Sequence, residues 1–320
     1  YHTELSRDGP GLLLRDIASG KDEQVEAVVN VIAHLDADVL VLGDIDFDYN
    51  AVALSALARR LDSYPFQFAK LPNRGRQSGY DLDGDGLIGG ASDAWGYGEF
   101  TGQGGLAILS KHPLGEVVDY SAELWTGLER ALALPETSPE QPLSTTAHWE
   151  VPVLLPDGQR VTLMSWHATA PVFDGPKDRN GRRNHDEAAF WLERLNTLPP
   201  PYPILAGFAN LDVFDGDGRP EALNALLAHD AIIDPRPISE GGALAGTADS
   251  AHRGPAALDT VAWPQDGPGN LRVDYLLPSS KLEVTGAGVF WPTPDQFLGK
   301  EVVQASRHRM VWVDINVPDR

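Results

Sequence analysis

Apolar positions along the chain alternate between two rhythms. From Val25 to Leu35 (VEAVVNVIAHL) they recur at helical spacing, and Asp22 and Glu23 in front suit the positive end of a helix dipole. Val39 to Leu42 (VLVL) is a short unbroken apolar run, the pattern of a strand buried on both faces. The spacing predicts a second helix over Ala51–Leu61 and a strand over Leu106–Leu109. Two strands follow, His148–Leu155 and Arg160–His167, around a Pro-Asp-Gly turn, then a short one at Ile204–Leu205. Helices over Asp186–Leu195 and Glu221–Leu227 lie among them, and the last third predicts strands at Arg272–Leu277, Val284–Phe290 and Met310–Ile315.

This order is neither a strict βαβ repeat nor all-β. It predicts an α/β fold, a four-layer sandwich of two packed mixed β-sheets flanked by helices. The stretches 70–104, 170–184 and 234–270 are rich in Gly, Pro and Asp and read as long loop insertions. No composition shift marks a linker, so one domain over residues 1–320 is expected.

Composition narrows the class. At 42% hydrophobic and 22% charged, the 320 residues exclude a disordered or coiled-coil chain. No apolar run approaches the roughly 20 residues a bilayer-spanning helix needs. The absence of cysteine excludes disulfides, thiolate zinc sites and cysteine nucleophiles. With 25 basic against 46 acidic residues, the formal charge is −21. That opposes an extended duplex DNA track, where affinity comes from neutralising phosphates. A small basic pocket remains open, because 19 of the 25 cations are Arg and several cluster: Arg74 with Arg76, Arg179 with Arg182 and Arg183, Arg307 with Arg309. The guanidinium fork suits phosphate or carboxylate; the other reading is solvated loop charge. An acidic, cysteine-free chain suits an exported bacterial protein, so a secreted or periplasmic location is expected. No segment calls for a protein partner.

Candidate chemistry sits where apolar strands end. VLVL runs into Asp44, Asp46 and Asp48; TLMSW ends in His167; PILA is followed by Asn210 and Asp212. RVDY opens a strand with Asp274, and SRHR precedes the last one with Arg307 and His308. Strand ends of α/β sheets are where sites are normally built. An isolated Asp there also reads as a turn cap, and a buried His as a structural one.

In this order the clusters resemble the endonuclease/exonuclease/phosphatase superfamily, with its deoxyribonuclease I-like fold, over nearly the whole chain. The most specific pieces are GGLAILSKHP (104–113), RVDY and the closing S-x-H. The resemblance implies hydrolysis of a phosphoester with a divalent cation, Mg²⁺ or Mn²⁺. It places the metal-binding acid at Asp44, an active-site imidazole at His167 and a phosphate- or water-binding amide at Asn210. Asp274 would orient the final His308, fixing its tautomer and raising its basicity. Arg182 and Arg183 fall where the family often has substrate-contacting loops, and Arg307 is expected to hold a phosphate oxygen.

Three departures stand out. Phe208 occupies the position of the Asp that orients or deprotonates the attacking water. Arg307 stands where a metal-binding Asp precedes the final His. His2 replaces the first-strand Asn and could donate a hydrogen bond or ligate metal. Glu4, Asp46, Asp48, Asp212, Asp215 and Asp217 are the carboxylates near enough in sequence to substitute. Separately, Asp81, Asp83 and Asp85 with Gly86 match the first half of an EF-hand-type loop and predict a structural Ca²⁺, although position 12 is Ser92 rather than Glu.

The leading expectation is therefore a metal-dependent phosphoesterase acting on a small or lipid-like phosphate-containing substrate. The alternatives are a catalytically silent phosphate-binding module on the same fold, suggested by Phe208 and Arg307, and a nuclease.

Overall fold

A computed structural model describes residues 1–246, 252–264 and 266–318. Part of the expected loop at 234–270, namely 247–251 and 265, lies outside these residues.

The chain opens with helices α1 (Leu12–Ser19) and α2 (Glu23–Leu35), then strand β1 (Val39–Ile45), helix α3 (Val52–Leu61) and strands β2 (Phe66–Ala69) and β3 (Gly105–Ser110). Asp22 begins α2 by accepting from the Val25 amide at 2.9 Å, satisfying a donor the helix leaves open. The three strands form an antiparallel sheet in the order β1–β3–β2. A single parallel bridge from His2 to Gly43 extends it.

The second sheet has the order β10–β7–β6–β5–β4. It is built from β4 (Val118–Asp119), β5 (His148–Leu154), β6 (Arg160–His167), β7 (Pro203–Phe208) and β10 (Asp274–Pro278). Only β6 and β7 are parallel, which makes the sheet mixed. Helix α4 (Arg179–Thr197) makes that crossover, with α5 (Glu221–Leu227) and α6 (Glu240–Gly246) following β7. Short strands β8 (Val261–Ala262) and β9 (Asn270–Leu271) pair with each other. Strands β11 (Glu283–Phe290) and β12 (Met310–Asn316) also pair, with α7 (Glu301–Ala305) between them.

Side-chain alternation assigns the layers. In β1, Leu40 and Leu42 pack against α1–α3, while Val39 and Val41 face the second sheet. In β3, Ala107 and Leu109 face the helices, and Leu106 and Ile108 face inward. Across the gap, Val161, Leu163, Ile204 and Phe208 complete the inter-sheet core. Trp166, Leu205 and Tyr275 point outward to meet Ala188 and Trp191 of α4 and Leu223 of α5. Helices, sheet, sheet and helices give the expected four layers, and the continuous runs VLVL and LAIL follow from burial on both faces.

The expected loop at 170–184 is shorter than the sequence indicates. Its RNGRRN segment forms the first turns of α4, and much of the helix face it presents to the protein is polar and buried.

Candidate active site

Strand register sets one row of side chains at the edge of the inter-sheet core. Asp274 of β10 lies opposite Phe208 of β7, which lies opposite His167 of β6. From the first sheet, Gly43 approaches so closely that a Cβ there would sit 2.5 Å from the Phe208 ring. After Gly43 the β1 ladder slips by one residue and Asp44 takes a left-handed backbone (φ 55°), turning its carboxylate out of the strand.

His2 and His308 complete the cluster from positions distant in sequence. The two imidazoles stack at 3.9 Å with 17° between their planes. His2 is edge-on to His167 at 5.0 Å, and both His2 and His167 are edge-on to Phe208 at 5.4 Å. The Ser306 hydroxyl donates to the His2 carbonyl at 2.9 Å and accepts from the His308 amide at 3.0 Å, tying the first and last segments together.

His308 Nδ1 donates to Asp274 Oδ2 at 2.9 Å. Burial pushes the Asp274 carboxyl up, but its interaction with His308, hydrogen bond included, outweighs this and holds it below its usual range. An ionised Asp274 accepts Nδ1–H, which leaves His308 Nε2 as the basic nitrogen. The Thr260 hydroxyl accepts from the Val273 and Asp274 amides at 3.0 Å each, fixing this end of β10. Burial is also the main cause that drives His2 down to about 3 and His167 well below its ordinary value, so both rings are neutral at physiological pH.

Asp44 is paired rather than open. Arg74 Nη1 donates to Asp44 Oδ1 at 2.7 Å and to the Gly104 carbonyl at 3.2 Å. Burial raises the Asp44 carboxyl, but the charge and hydrogen bond of Arg74 lead the opposing effects, and it lies at about 2. Asn210, also left-handed (φ 52°), donates from Nδ2 to the Ala168 carbonyl at 2.7 Å, linking the loops after β6 and β7.

The other expected residues are placed differently. Arg183 is buried, and its guanidinium donates to the carbonyls of Trp95, Pro142, Leu143 and Ser144 at 2.7–3.0 Å. Its donors are consumed by backbone, which corrects the expectation that it meets substrate. Arg182 donates to the Lys177 and Leu132 carbonyls, bracing loops beside α4. Arg307 stays on the surface next to His308, paired with Glu4 and stacked 4.2 Å over Trp263.

Five of the six carboxylates that could replace the missing base, all but Asp217, hold other partners. Glu4 holds Arg307; Asp46 accepts from Ser6, the Arg7 amide and the Gly104 amide; Asp48 accepts from the Ala53 amide in the first turn of α3. Asp212 accepts from the Phe214, Asp215 and Arg272 amides, and Asp215 from those of Arg253 and Gly254. Asp81, Asp83 and Asp85 form an exposed loop whose carboxylates accept from the Gly84, Asp85, Gly86 and Leu87 amides.

The family's model, Endonuclease/Exonuclease/phosphatase, matches residues 14–308, and the chain belongs to this family. Its members are hydrolases that act on phosphoesters. No curated protein matches the sequence significantly. Among solved structures, an endonuclease/exonuclease/phosphatase from Beutenbergia cavernae DSM 12333 is 19% identical, covering 99% of this chain and 69% of its own, with a TM-score of 0.58. A mannosyl-6-phosphatase from Bacteroides thetaiotaomicron VPI-5482 is 13% identical over 98% of this chain and 97% of its own, with a TM-score of 0.52. TDP2 from D. rerio, complexed with a single-strand DNA product, is 14% identical over 96% of each chain, with a TM-score of 0.51. At these identities the likeness establishes the fold.

The family generally uses divalent cations. The donors around Asp44 do not fit one. Mg²⁺ prefers oxygen ligands in near-octahedral geometry, whereas the Asp44 carboxylate is already engaged by a guanidinium and has the His2 and His167 imidazoles near it. Among the described residues, only Asp81, Asp83 and Asp85 bring three ligand atoms within 4.8 Å of one another.

Proposed function

We propose that the chain hydrolyses a small phosphoester at the His2–His167–His308 cluster. The observation that supports this most is the buried Asp274–His308 pair, whose tautomer presents a basic Nε2 at a strand-end site of the family. In this reading His308 Nε2 takes the proton of a water that attacks phosphorus in line, and the ester oxygen departs with its electron pair. His2, His167 and the Asn210 amide surround the phosphoryl oxygens, neutral groups that orient without contributing charge.

An apolar cleft of about 380 Å³ supports a substrate with a small apolar portion. It is lined by Leu13, Leu14, Phe47, Tyr49, Leu71 and Phe100, and it shares Asp46 with the Gly104 turn behind Asp44. The charge of −21 and the internal commitment of Arg183 oppose a nuclease with a long nucleic-acid track; little or no gel shift with duplex DNA is expected at physiological salt. The secreted or periplasmic location is a proposal from composition alone, checked by fractionating the native host. Ca²⁺ on the Asp81–Asp83–Asp85 loop is likewise a proposal, supported by the convergence of its carboxylates and read out by the calcium dependence of Tm.

The deciding experiment is turnover of phosphomonoester and phosphodiester chromogenic substrates, in chelator and in Mg²⁺, with His308→Ala alongside. Turnover is expected to fall about 10²–10⁴-fold in His308→Ala, the usual worth of a general base. A folded wild-type protein with no turnover above that variant overturns hydrolysis. It would favour the second reading, a phosphate-binding module, which Phe208 supports by filling the place of a carboxylate with a ring.

A further inference from the structure

Arg74 holds a position that neither the fold nor the His308 chemistry explains. Its Nη1 is shared between Asp44 and the Gly104 carbonyl, and its Nε reaches the Tyr97 carbonyl at 3.4 Å. Among the described residues nothing accepts from Nη2, and the side chain is 23% exposed. The backbone is hollowed for the pair: Gly104 is left-handed (φ 56°), and a Cβ there would lie 2.2 Å from Arg74 Nη1 and 2.5 Å from Asp44 Oδ1. Any other residue at 104 would have to displace one partner or the other. Arg74 is also close enough to the imidazole cluster for its charge to help depress His167.

We propose that Arg74 is the resident cation of this site, its guanidinium facing the phosphoryl oxygens in the role a divalent ion would otherwise fill. Asp44 then orients the guanidinium as a carboxylate would orient a metal, and Nη2 is the donor left for the ligand. An arginine needs no recruitment from solution and keeps its charge at every physiological pH. Its fork can meet two phosphate oxygens at once. This inference rests on the reading that the site receives a phosphoryl group. It adds that the group is held without a metal ion.

The test uses the whole chain and inorganic phosphate as the probe. Phosphate is titrated calorimetrically in EDTA and in Mg²⁺, with wild type, Arg74→Met and Arg74→Lys, the folding of each checked by circular dichroism. Bound Mn²⁺ is counted by electron paramagnetic resonance in wild type and Asp44→Asn. The expected result is the same phosphate Kd in EDTA and in Mg²⁺, weakened about 10- to 100-fold in Arg74→Met, the worth of one charge-assisted hydrogen bond. Arg74→Lys, which keeps the charge and loses the fork, is expected to bind more weakly than wild type, and it decides the matter should Arg74→Met not fold. The Mn²⁺ count should be equal in wild type and Asp44→Asn. Loss of an Mn²⁺ ion in Asp44→Asn, phosphate binding abolished by EDTA, or wild-type affinity in a folded Arg74 variant overturns the inference. Wild-type protein that binds no phosphate overturns it together with the functional reading. Phosphate binding without ester turnover leaves Arg74 in its role and removes only hydrolysis.

Discussion

At position 208 a phenylalanine ring lies against the Cα of Gly43, with His2 and His167 edge-on at 5.4 Å. A carboxylate there would be buried among neutral rings. Phe208→Asp is therefore expected to destabilise the fold by about 3–5 kcal/mol, combining a lost ring with a buried unpaired charge. Urea denaturation checks it, and a loss below about 1 kcal/mol would show that the site relaxes to accept the charge. The contact between Asp274 and His308 was legible only through the family resemblance that RVDY and S-x-H carry. Arg74 was legible only as one of a pair of clustered arginines. It lies 30 positions from Asp44 in a polar stretch, and nothing in local spacing says which carboxylate it will meet.

Elements with apolar periodicity read true: α5 matches its expected span, and β1, β5, β6 and β12 fall within a few residues of theirs. Helix α4 begins seven residues before its expected start, at Arg179 rather than Asp186. The reason is physical. Arg183, Asn184, Asp186 and Glu187 are buried polar groups satisfied by hydrogen bonds, so the buried face carries no hydrophobic signal. Helix α1 gives little periodic signal because it is only eight residues long between Gly11 and Gly20. The Asp81–Asp85 loop is held by its own backbone. Its three carboxylates already accept backbone amides, and Asp93 accepts from the Leu82, Gly89 and Gly90 amides to close the loop. If Ca²⁺ binds there, millimolar Ca²⁺ added to chelator-treated protein should raise Tm, and Asp83→Asn should erase the rise. An unchanged Tm would leave a loop held by its turns alone.

For the molecule as a whole, the layer order was legible because alternation and helical spacing both point toward burial. Its acid response follows from what that burial encloses. Burial takes His2 to about 3, His148 to about 4 and His167 well below its ordinary value. Between roughly pH 6.5 and 4 the unfolded chain takes up protons that the folded chain refuses, so stability falls as pH falls, by up to about 1.4 kcal/mol per pH unit for each imidazole. Glu187 opposes them. Burial raises it to about 7, so its contribution is lost as pH rises from its unfolded value toward 7. Burial raises Asp46 too, in the same sense as Glu187, and three imidazoles against these two carboxylates leave the first effect in control. Tm should therefore drop steadily from pH 6.5 to 4.5, less so in His148→Phe; a Tm that peaks near pH 5 would contradict the balance.

The His2–His308 stack has a further consequence, in the order of events during synthesis. Its two halves are separated by nearly the whole chain, so a ribosome must deliver residue 308 before the imidazoles can meet. Both sheets can begin to assemble earlier, around β1, β3 and β5–β7. The cluster is thus a late product of biogenesis: a chain stalled or clipped between β10 and His308 lacks one of its imidazoles, and on the proposed reading it is expected to be inert.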